Sequence, residues 1–185
     1  MRNPWDAFPF PLKGDQDPEK TYAGVGHVMS EWESVEFNLA RVYGVFVGGD
    51  AGGKALQEYG APRIFASRLK ALEQAAEAFF FRRCDQNIEG EFHLLTLRAS
   101  GFSARRNDVA HGIVMNVSNI TFFKEKLHLA VSGEKQHLLV PTYYAKREHD
   151  GHGRPNYAFN AGQLRELASR LIDLGKDIVS FRSRL

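Results

Sequence analysis

The sequence predicts a mainly α fold, an up-and-down four-helix bundle with a small antiparallel β insertion at about residues 113–159. Apolar residues recur at steps of three and four in four long segments, which is typical of packed helices. Between the third and fourth segments the pattern changes to short runs of β-branched and aromatic residues. The 185 residues, 43% hydrophobic and 25% charged, have the length and balance of one folded domain.

The first 17 residues are predicted to be an extended arm, and residues 18–185 the helical domain with its insertion. Pro4, Pro9 and Pro11 exclude a regular helix or a central strand from the arm. We expect the aromatic residues of the arm to pack onto the body of the protein or onto a second subunit, stacking on bases being the alternative; they are Trp5, Phe8 and Phe10.

Each predicted helix has a seam of apolar residues. The first, from about Pro18 to Val47, has one polar seam residue, Glu36, and the third has Arg106. The seams comprise Val25, Met29, Trp32, Glu36, Leu39, Tyr43 and Phe46; Phe65, Leu69, Leu72, Ala76 and Phe79; Phe92, Leu95, Ala99, Phe102, Arg106 and Val109; and Leu164, Leu167, Leu171, Leu174, Ile178 and Phe181.

Local signals predict where these helices begin and end. A Gly-rich link and a short turn through Tyr59 lead to Pro62, which suits the first turn of the second helix. Gly112 is expected to take the left-handed conformation that closes the third helix. Asn160 is expected to begin the fourth helix in a capping box with Gln163.

The predicted insertion contains three candidate strand segments. GIVMNVS, NITFFKEKLHLAV and QHLLVPTYYA are broken by turn residues, which predicts a hairpin or a small meander. The next stretch, KREHDGHGRPN, is polar and Gly-rich, so we expect an exposed loop.

The sequence favours a cytoplasmic protein. The N-terminus has prolines and acids where a signal peptide needs an unbroken apolar run, and no stretch approaches the length of a membrane span. Cys84 is the only cysteine, so it cannot form an internal disulfide or a cysteine metal cluster, which fits a reducing compartment.

The net charge of +2 does not by itself indicate nucleic acid, but the cations are clustered. Arginine pairs suit two-pronged contact with phosphate oxygens, although solvated helix ends would look the same. These pairs are Arg82/Arg83, Arg105/Arg106 and Arg182/Arg184. Three cations of the predicted loop also suit a phosphate backbone: Lys146, Arg147 and Arg154.

The third predicted helix ends in the hexapeptide Arg106-Asn107-Asp108-Val109-Ala110-His111. It resembles the RNxxxH signature of the HEPN ribonuclease superfamily. The asparagine after Arg106, the glycine that follows, and the polar Glu36 on the first helix all suit that family, and EWESVE looks like its first helix. The resemblance in architecture runs from about Thr21 to the C-terminus, but its specific part is the hexapeptide and Glu36. Arg147 and His152 repeat the spacing inside a loop, where the family does not place it.

The resemblance implies a metal-independent endoribonuclease that cuts RNA and leaves a 2′,3′-cyclic phosphate. Arg106 and His111 would be its central residues, with Asn107 and Glu36 in support. Arginine suits phosphate binding, and imidazole titrates near neutral pH as an acid or base requires. The cations Arg105, Lys146, Arg147 and Arg154 would bind the RNA.

The same resemblance implies a homodimer whose cleft joins two Arg-His pairs, and no cofactor or metal. It is compatible with a toxin or defence role and with an antitoxin or other protein partner. One alternative is a noncatalytic helical module that dimerises and binds RNA or protein. In that case His111 would offset the helix dipole and Arg106 would form a structural ion pair with Glu36.

A second alternative is a nucleotide binder, because Gly48–Lys54 follows the GxxxxGK pattern of a phosphate loop. Ala55, however, replaces the hydroxyl residue that holds magnesium, and no later strand ends in a suitable Asp. Three further side chains have the chemistry of metal ligands but not the spacing of a helical metal motif, so we expect a solvated loop there: His149, Asp150 and His152.

Overall fold

The computed structural model describes residues 3–49, 53–126 and 134–185, and these residues are mainly helical. The α-helices are α1 (Pro18–Phe46), α2 (Lys54–Gly60), α3 (Phe65–Arg83), α4 (Gln86–Ala110), α5 (Thr121–Lys126) and α6 (Ala161–Arg182). Two strands, β1 (Gly112–Asn116) and β2 (His137–Pro141), form an antiparallel sheet. A 3₁₀ turn covers Lys146–Glu148. Among the described residues, the helices are each too short or too polar to cross a membrane.

The four predicted helical segments correspond to α1, α3, α4 and α6. Their predicted seam residues are buried or half-buried, so the periodicity identified the packed faces correctly. The arrangement of these helices as an up-and-down bundle stays a prediction.

By its internal contacts the chain divides into two compact units. The first unit comprises Met1–Ser30 and Ala104–Arg170, and the second comprises Glu31–Ser103 and Leu171–Leu185. Helices α1, α4 and α6 contribute residues to both.

The first unit contains the sheet, which lies where the sequence predicted a β insertion. Gly112 pairs with Pro141 and Asn116 with His137, and β2 also exchanges backbone hydrogen bonds of 2.9 Å with Phe159. A small apolar core packs here, formed by Val117, Phe123, Leu138, Val140 and Ala158 with Phe10, Ile120 and Phe122.

Two elements of the first unit confirm local predictions. The N-terminal arm packs its aromatic rings onto the body, with Phe8 against Phe159 at 5.9 Å and Phe10 against Phe122 at 5.7 Å between ring centroids. Helix α6 begins in the predicted capping box. The Gln163 backbone N–H donates to Asn160 Oδ1 at 2.9 Å, and the Asn160 backbone N–H donates to Gln163 Oε1 at 3.3 Å.

The second unit has an aromatic core built from α1, α3 and α4 and the end of α6. Phe46 is its centre, with ring centroids 4.9 Å from Phe79, 5.6 Å from Phe80 and 5.1 Å from Phe92. Phe181 of α6 lies 6.0 Å from Phe92. Helix α3 ends at Cys84, which takes the left-handed conformation with φ of 52° and donates its N–H to Phe80 at 2.8 Å.

Two short helices correct predictions of turn and strand. The stretch through Tyr59 is helix α2, because a helix places Ala55 and Tyr59 on one buried face. Thr121–Lys126 is helix α5 and not a strand, since a helix buries Phe123 in the apolar core. Tertiary burial outweighs the strand preference of Phe and Thr here. The remainder of that predicted strand, residues 127–131, lies outside the described residues.

Two further predictions are wrong, one about the conformation of Gly112 and one about the strand assignment of Tyr143 and Tyr144. Gly112 does not take the left-handed conformation and instead begins β1. A Cβ there would lie 2.8 Å from Leu139 Cδ1, so a larger residue would require the buried Leu139 side chain to shift. Strand β2 ends at Pro141, so Tyr143 and Tyr144 lie in a turn beyond it and not in a strand.

Candidate active site at the end of helix α4

The signature residues occupy the last turn of α4 and the position just after it. Asn107 and His111 are exposed, whereas Arg106 is half-buried. The backbone N–H of His111 donates to the Asn107 carbonyl oxygen at 3.0 Å, so the helical path extends to the histidine. Asn107 and His111 therefore occupy successive positions on one helix face, as the spacing predicted.

Beside these residues lies an ion pair that the sequence did not predict. Arg105 Nη1 lies 3.1 Å from Asp108 Oδ2, and both side chains are largely shielded from solvent. Among the described residues, Asp108 Oδ2 accepts no well-aligned hydrogen bond. Burial raises the pKa of the Asp108 carboxyl to about 6, although the positive charge of Arg105 opposes the shift. The pair therefore holds a carboxylate that titrates close to neutral pH.

Two residues from the following loop share this environment. The negative charge of Glu148 also contributes to the raised pKa of Asp108, which requires the two carboxyl groups to be near each other. Tyr157 is buried, and its pKa is raised first by that burial and then by the charges of Asp108 and Glu148. The first unit thus brings the end of α4 together with the loop that follows β2.

The three loop cations predicted to bind RNA are exposed to solvent: Lys146, Arg147 and Arg154. The Arg154 guanidinium lies 5.8 Å from the centre of the Phe122 ring. Arg105, the fourth predicted cation, is half-buried in its pair with Asp108, so part of its charge is already compensated. Their binding of RNA stays a prediction.

Hydrogen bonds hold this loop in shape. Asp150 Oδ1 accepts the backbone N–H groups of His152 at 2.8 Å and Arg154 at 2.9 Å, and these bonds lower the pKa of Asp150. His149 Nδ1 lies 3.0 Å from the Ala145 carbonyl oxygen, to which it donates when Nδ1 carries a proton. Within the part of the chain that the structure describes, no three candidate metal ligands come together.

Glu36 belongs to the second unit and is almost fully buried. Its Oε1 accepts a hydrogen bond from Trp32 Nε1 at 2.7 Å, and its Oε2 accepts one from Arg68 Nη1 at 2.6 Å. Arg68 also donates its Nε–H to the Pro62 carbonyl oxygen at 2.8 Å. The predicted support of Arg106 or His111 by Glu36 stays a prediction.

The other arginine pairs contact the protein itself. Arg82 Nε donates to the Ala78 carbonyl at 3.0 Å, and Arg83 donates to the backbone carbonyl of Leu185. Arg184 pairs with Glu91 through both of its terminal nitrogens. These contacts favour a structural role at the helix ends.

The segment resembling a phosphate loop lacks the strand that such a loop follows. Residues 42–46 lie in α1, and the Val47 N–H donates to Tyr43 O at 3.0 Å, so VYGVFV is helical. Lys54 lies 3.7 Å from Glu58 on the exposed face of α2. Asp50, Ala51 and Gly52 lie outside the described residues.

Sequence reasoning missed the roles of Asp108, Glu148 and Tyr157 because their proximity depends on tertiary structure. It also missed the exposed pair Tyr143 and Tyr144, which it read as strand residues. The signal available for the tyrosines was Pro141, since a proline near the end of a strand often marks where the pairing stops.

Comparison with known proteins gives no match for this chain, whether to a protein-family model, to a curated protein or to a solved structure.

Proposed function

We propose that this protein is a metal-independent endoribonuclease in which Arg106 and His111 act directly on RNA. The observation that carries the proposal is the sequence Arg106-Asn107-Asp108-Val109-Ala110-His111 at the end of α4, with an exposed imidazole just after the helix turn that carries Arg105 and Arg106. An exposed histidine can reach a substrate, whereas a core histidine cannot.

In the proposed reaction, His111 removes the proton from a ribose 2′-hydroxyl group. The 2′-oxygen then attacks the adjacent phosphorus, forming the O2′–P bond as the bond from phosphorus to the 5′-oxygen breaks. The departing 5′-oxygen takes up a proton, and the products are a 2′,3′-cyclic phosphate and a 5′-hydroxyl end. A second Arg-His pair, from the other subunit of a homodimer, would supply that proton.

Arg106 stabilises the negative charge that grows on the phosphoryl oxygens. Its planar guanidinium offers two parallel N–H donors, which a lysine ammonium does not. A helix C-terminus carries partial negative charge, so an RNA phosphate would not bind there without such cations. Asn107, one turn before His111, orients the imidazole or holds a phosphate oxygen.

The test is cleavage of a structured RNA in the presence of EDTA, with the product ends identified by mass spectrometry. We expect cyclic-phosphate ends from the wild-type protein and a rate about 10²- to 10⁴-fold lower for His111→Ala, the usual loss when a general acid or base is removed. Arg106→Lys should lose most activity as well, because the charge remains but the fork geometry does not.

The chain contains its own matched control. His152 follows Arg147 at the same spacing as His111 follows Arg106, so His152→Ala should cleave like the wild type. Circular dichroism and light scattering must show unchanged folding and oligomeric state for each variant. Inactivity of the wild-type protein, or equal activity of His111→Ala, would reject the ribonuclease proposal and leave the noncatalytic binding module.

A further inference from the structure

Two adjacent aromatic side chains in the turn after β2 are almost fully exposed to solvent. Tyr143 is 96% exposed and Tyr144 is 83% exposed. Neighbouring exposed aromatic rings are unusual on a monomer surface and commonly mark a place where something binds.

A hydrogen bond closes the turn that carries these rings, and two more hold the segment that follows it. The Ala145 N–H donates to the Thr142 carbonyl oxygen at 2.9 Å. The Asn156 backbone N–H donates to Glu148 O at 2.8 Å, and its side-chain amide donates to Arg147 O at 3.2 Å. Hydrogen bonds therefore order the backbone that carries the two rings, and this lowers the entropic cost of ordering the rings on binding.

Two cations follow the rings closely in the chain. Lys146 and Arg147 follow them in the chain, and both side chains are exposed. The next residue, Glu148, is half-buried, and its charge acts on Asp108 within the hexapeptide Arg106–His111. The aromatic and basic segment thus belongs to the same unit as the candidate active site, and the residue that follows it acts on Asp108.

We propose that Tyr143 and Tyr144, with Lys146 and Arg147, bind single-stranded RNA. The rings stack on two unpaired bases, and the cations contact the phosphates between them. Aromatic rings stack on any base whose face is accessible, and duplex RNA offers no such face. This inference rests on the proposed ribonuclease function and adds its substrate class, an unpaired segment of RNA. A second copy of the chain is a poorer occupant, since its own Lys146 and Arg147 would repel these cations.

The experiment measures binding by fluorescence anisotropy, using the His111→Ala protein so that the RNA stays intact. The probes are a labelled single-stranded RNA of about 12 nucleotides, the matching duplex, and an abasic strand with the same phosphates. We expect the single strand to bind tighter than the other two. Tyr143→Ala and Tyr144→Ala should each weaken its binding about tenfold, whereas the corresponding Phe variants, which keep the ring, should bind as before.

Phe81→Ala is the matched control, because Phe81 is 87% exposed but its neighbours Arg82 and Arg83 are bonded to backbone carbonyls. It should leave RNA binding unchanged. Lys146→Ala should reduce the dependence of log K on log salt by about 0.7, the value for one phosphate contact to a single strand.

The inference is overturned if the alanine variants bind as tightly as their parent, or if duplex or abasic strand binds as well as the single strand. It is also overturned if sedimentation shows that the tyrosine substitutions dissociate a dimer without changing RNA affinity. The binding assay uses uncut RNA, so it does not test cleavage. Failure of the proposed ribonuclease activity is detected only in the cleavage assay with the wild-type protein. The two failures are therefore distinguishable.

Discussion

The two units each hold a shielded carboxylate beside an arginine, but the two carboxylates are stabilised to different extents. In the second unit, both oxygens of Glu36 accept hydrogen bonds, from Trp32 and from Arg68. In the first unit, Asp108 contacts Arg105 at 3.1 Å without a well-aligned hydrogen bond to Oδ2 in the described part of the chain. A fully bonded pair fixes structure, whereas a partly bonded pair near a surface loop keeps a carboxyl that can change its charge.

The largest expected effect is on the Glu36 pair. Replacing Arg68 by Met removes the guanidinium that donates to Oε2 of the buried Glu36 carboxylate, so the free energy of unfolding should fall by about 3 kcal/mol at pH 7. Urea unfolding followed by circular dichroism measures this. The first unit should respond less to Arg105→Met, about 1 kcal/mol, because Asp108 can take up a proton and become neutral.

The double variant Glu36→Leu/Arg68→Met distinguishes the cost of removing one partner of the ion pair from the cost of removing both. It should be more stable than Arg68→Met alone, because the carboxylate that has lost the Arg68 hydrogen bond is removed as well. A loss below about 1 kcal/mol for Arg68→Met would show that this pair is no better coupled than an exposed one, and the contrast between the units would disappear.

The pH dependence of stability should sharpen the contrast. The pKa of Asp108 is raised in the folded state to about 6 from an ordinary value of 3.8, so the folded state binds the proton more tightly. Its contribution to stability is fully present below pH 3.8 and is lost as the pH rises through about 6. Asp108→Asn stays neutral at every pH, so at pH 7 it should be more stable than the wild type by about 1 kcal/mol, after allowance for partial solvent screening.

Glu91→Gln in the second unit is the control for that measurement. The hydrogen bond from Arg184 lowers the pKa of Glu91, so its contribution is present at neutral pH and is lost as the pH falls through its folded pKa. We therefore compare the slope of the denaturant midpoint against pH between pH 4 and pH 8. This slope should be smaller in Asp108→Asn than in the wild type, and Glu91→Gln should not reduce it. An unchanged slope in Asp108→Asn would mean that another group titrates.

The features that the sequence predicted correctly are those that neighbours along the chain determine. The seams of α1, α3, α4 and α6 follow from a period of 3.6, and the Asn160–Gln163 capping box needs residues only three apart. The short helices α2 and α5 could not be predicted this way. Each is too short to be stable alone, and each forms because it buries one aromatic residue, Tyr59 or Phe123.

The features of the candidate site also fall into those that the sequence could predict and those that depend on tertiary structure. The i, i+4 relation of Asn107 and His111 could be read from spacing, because it depends on the helix alone. The proximity of Asp108 to Glu148 and Tyr157 joins residues about 40 to 50 positions apart, so only the folded first unit reveals it. The function of the hexapeptide stays a proposal, since it depends on a substrate that no contact in the chain represents.

The smallest expected effect compares how two helices are terminated. Helix α6 begins, in the first unit, with the side-chain cap that its sequence predicts, whereas α3 of the second unit is followed by Cys84 at φ of 52°, where glycine is preferred. Removing the Cβ in Cys84→Gly should relieve the left-handed strain and raise stability by about 0.5 kcal/mol, after the entropy that glycine adds to the unfolded chain. Cys84→Ser keeps the Cβ, so it should give no such gain in the same urea titration. Equal stabilisation by Ser and Gly would trace the effect to loss of the thiol and show that the backbone at this helix end is unstrained.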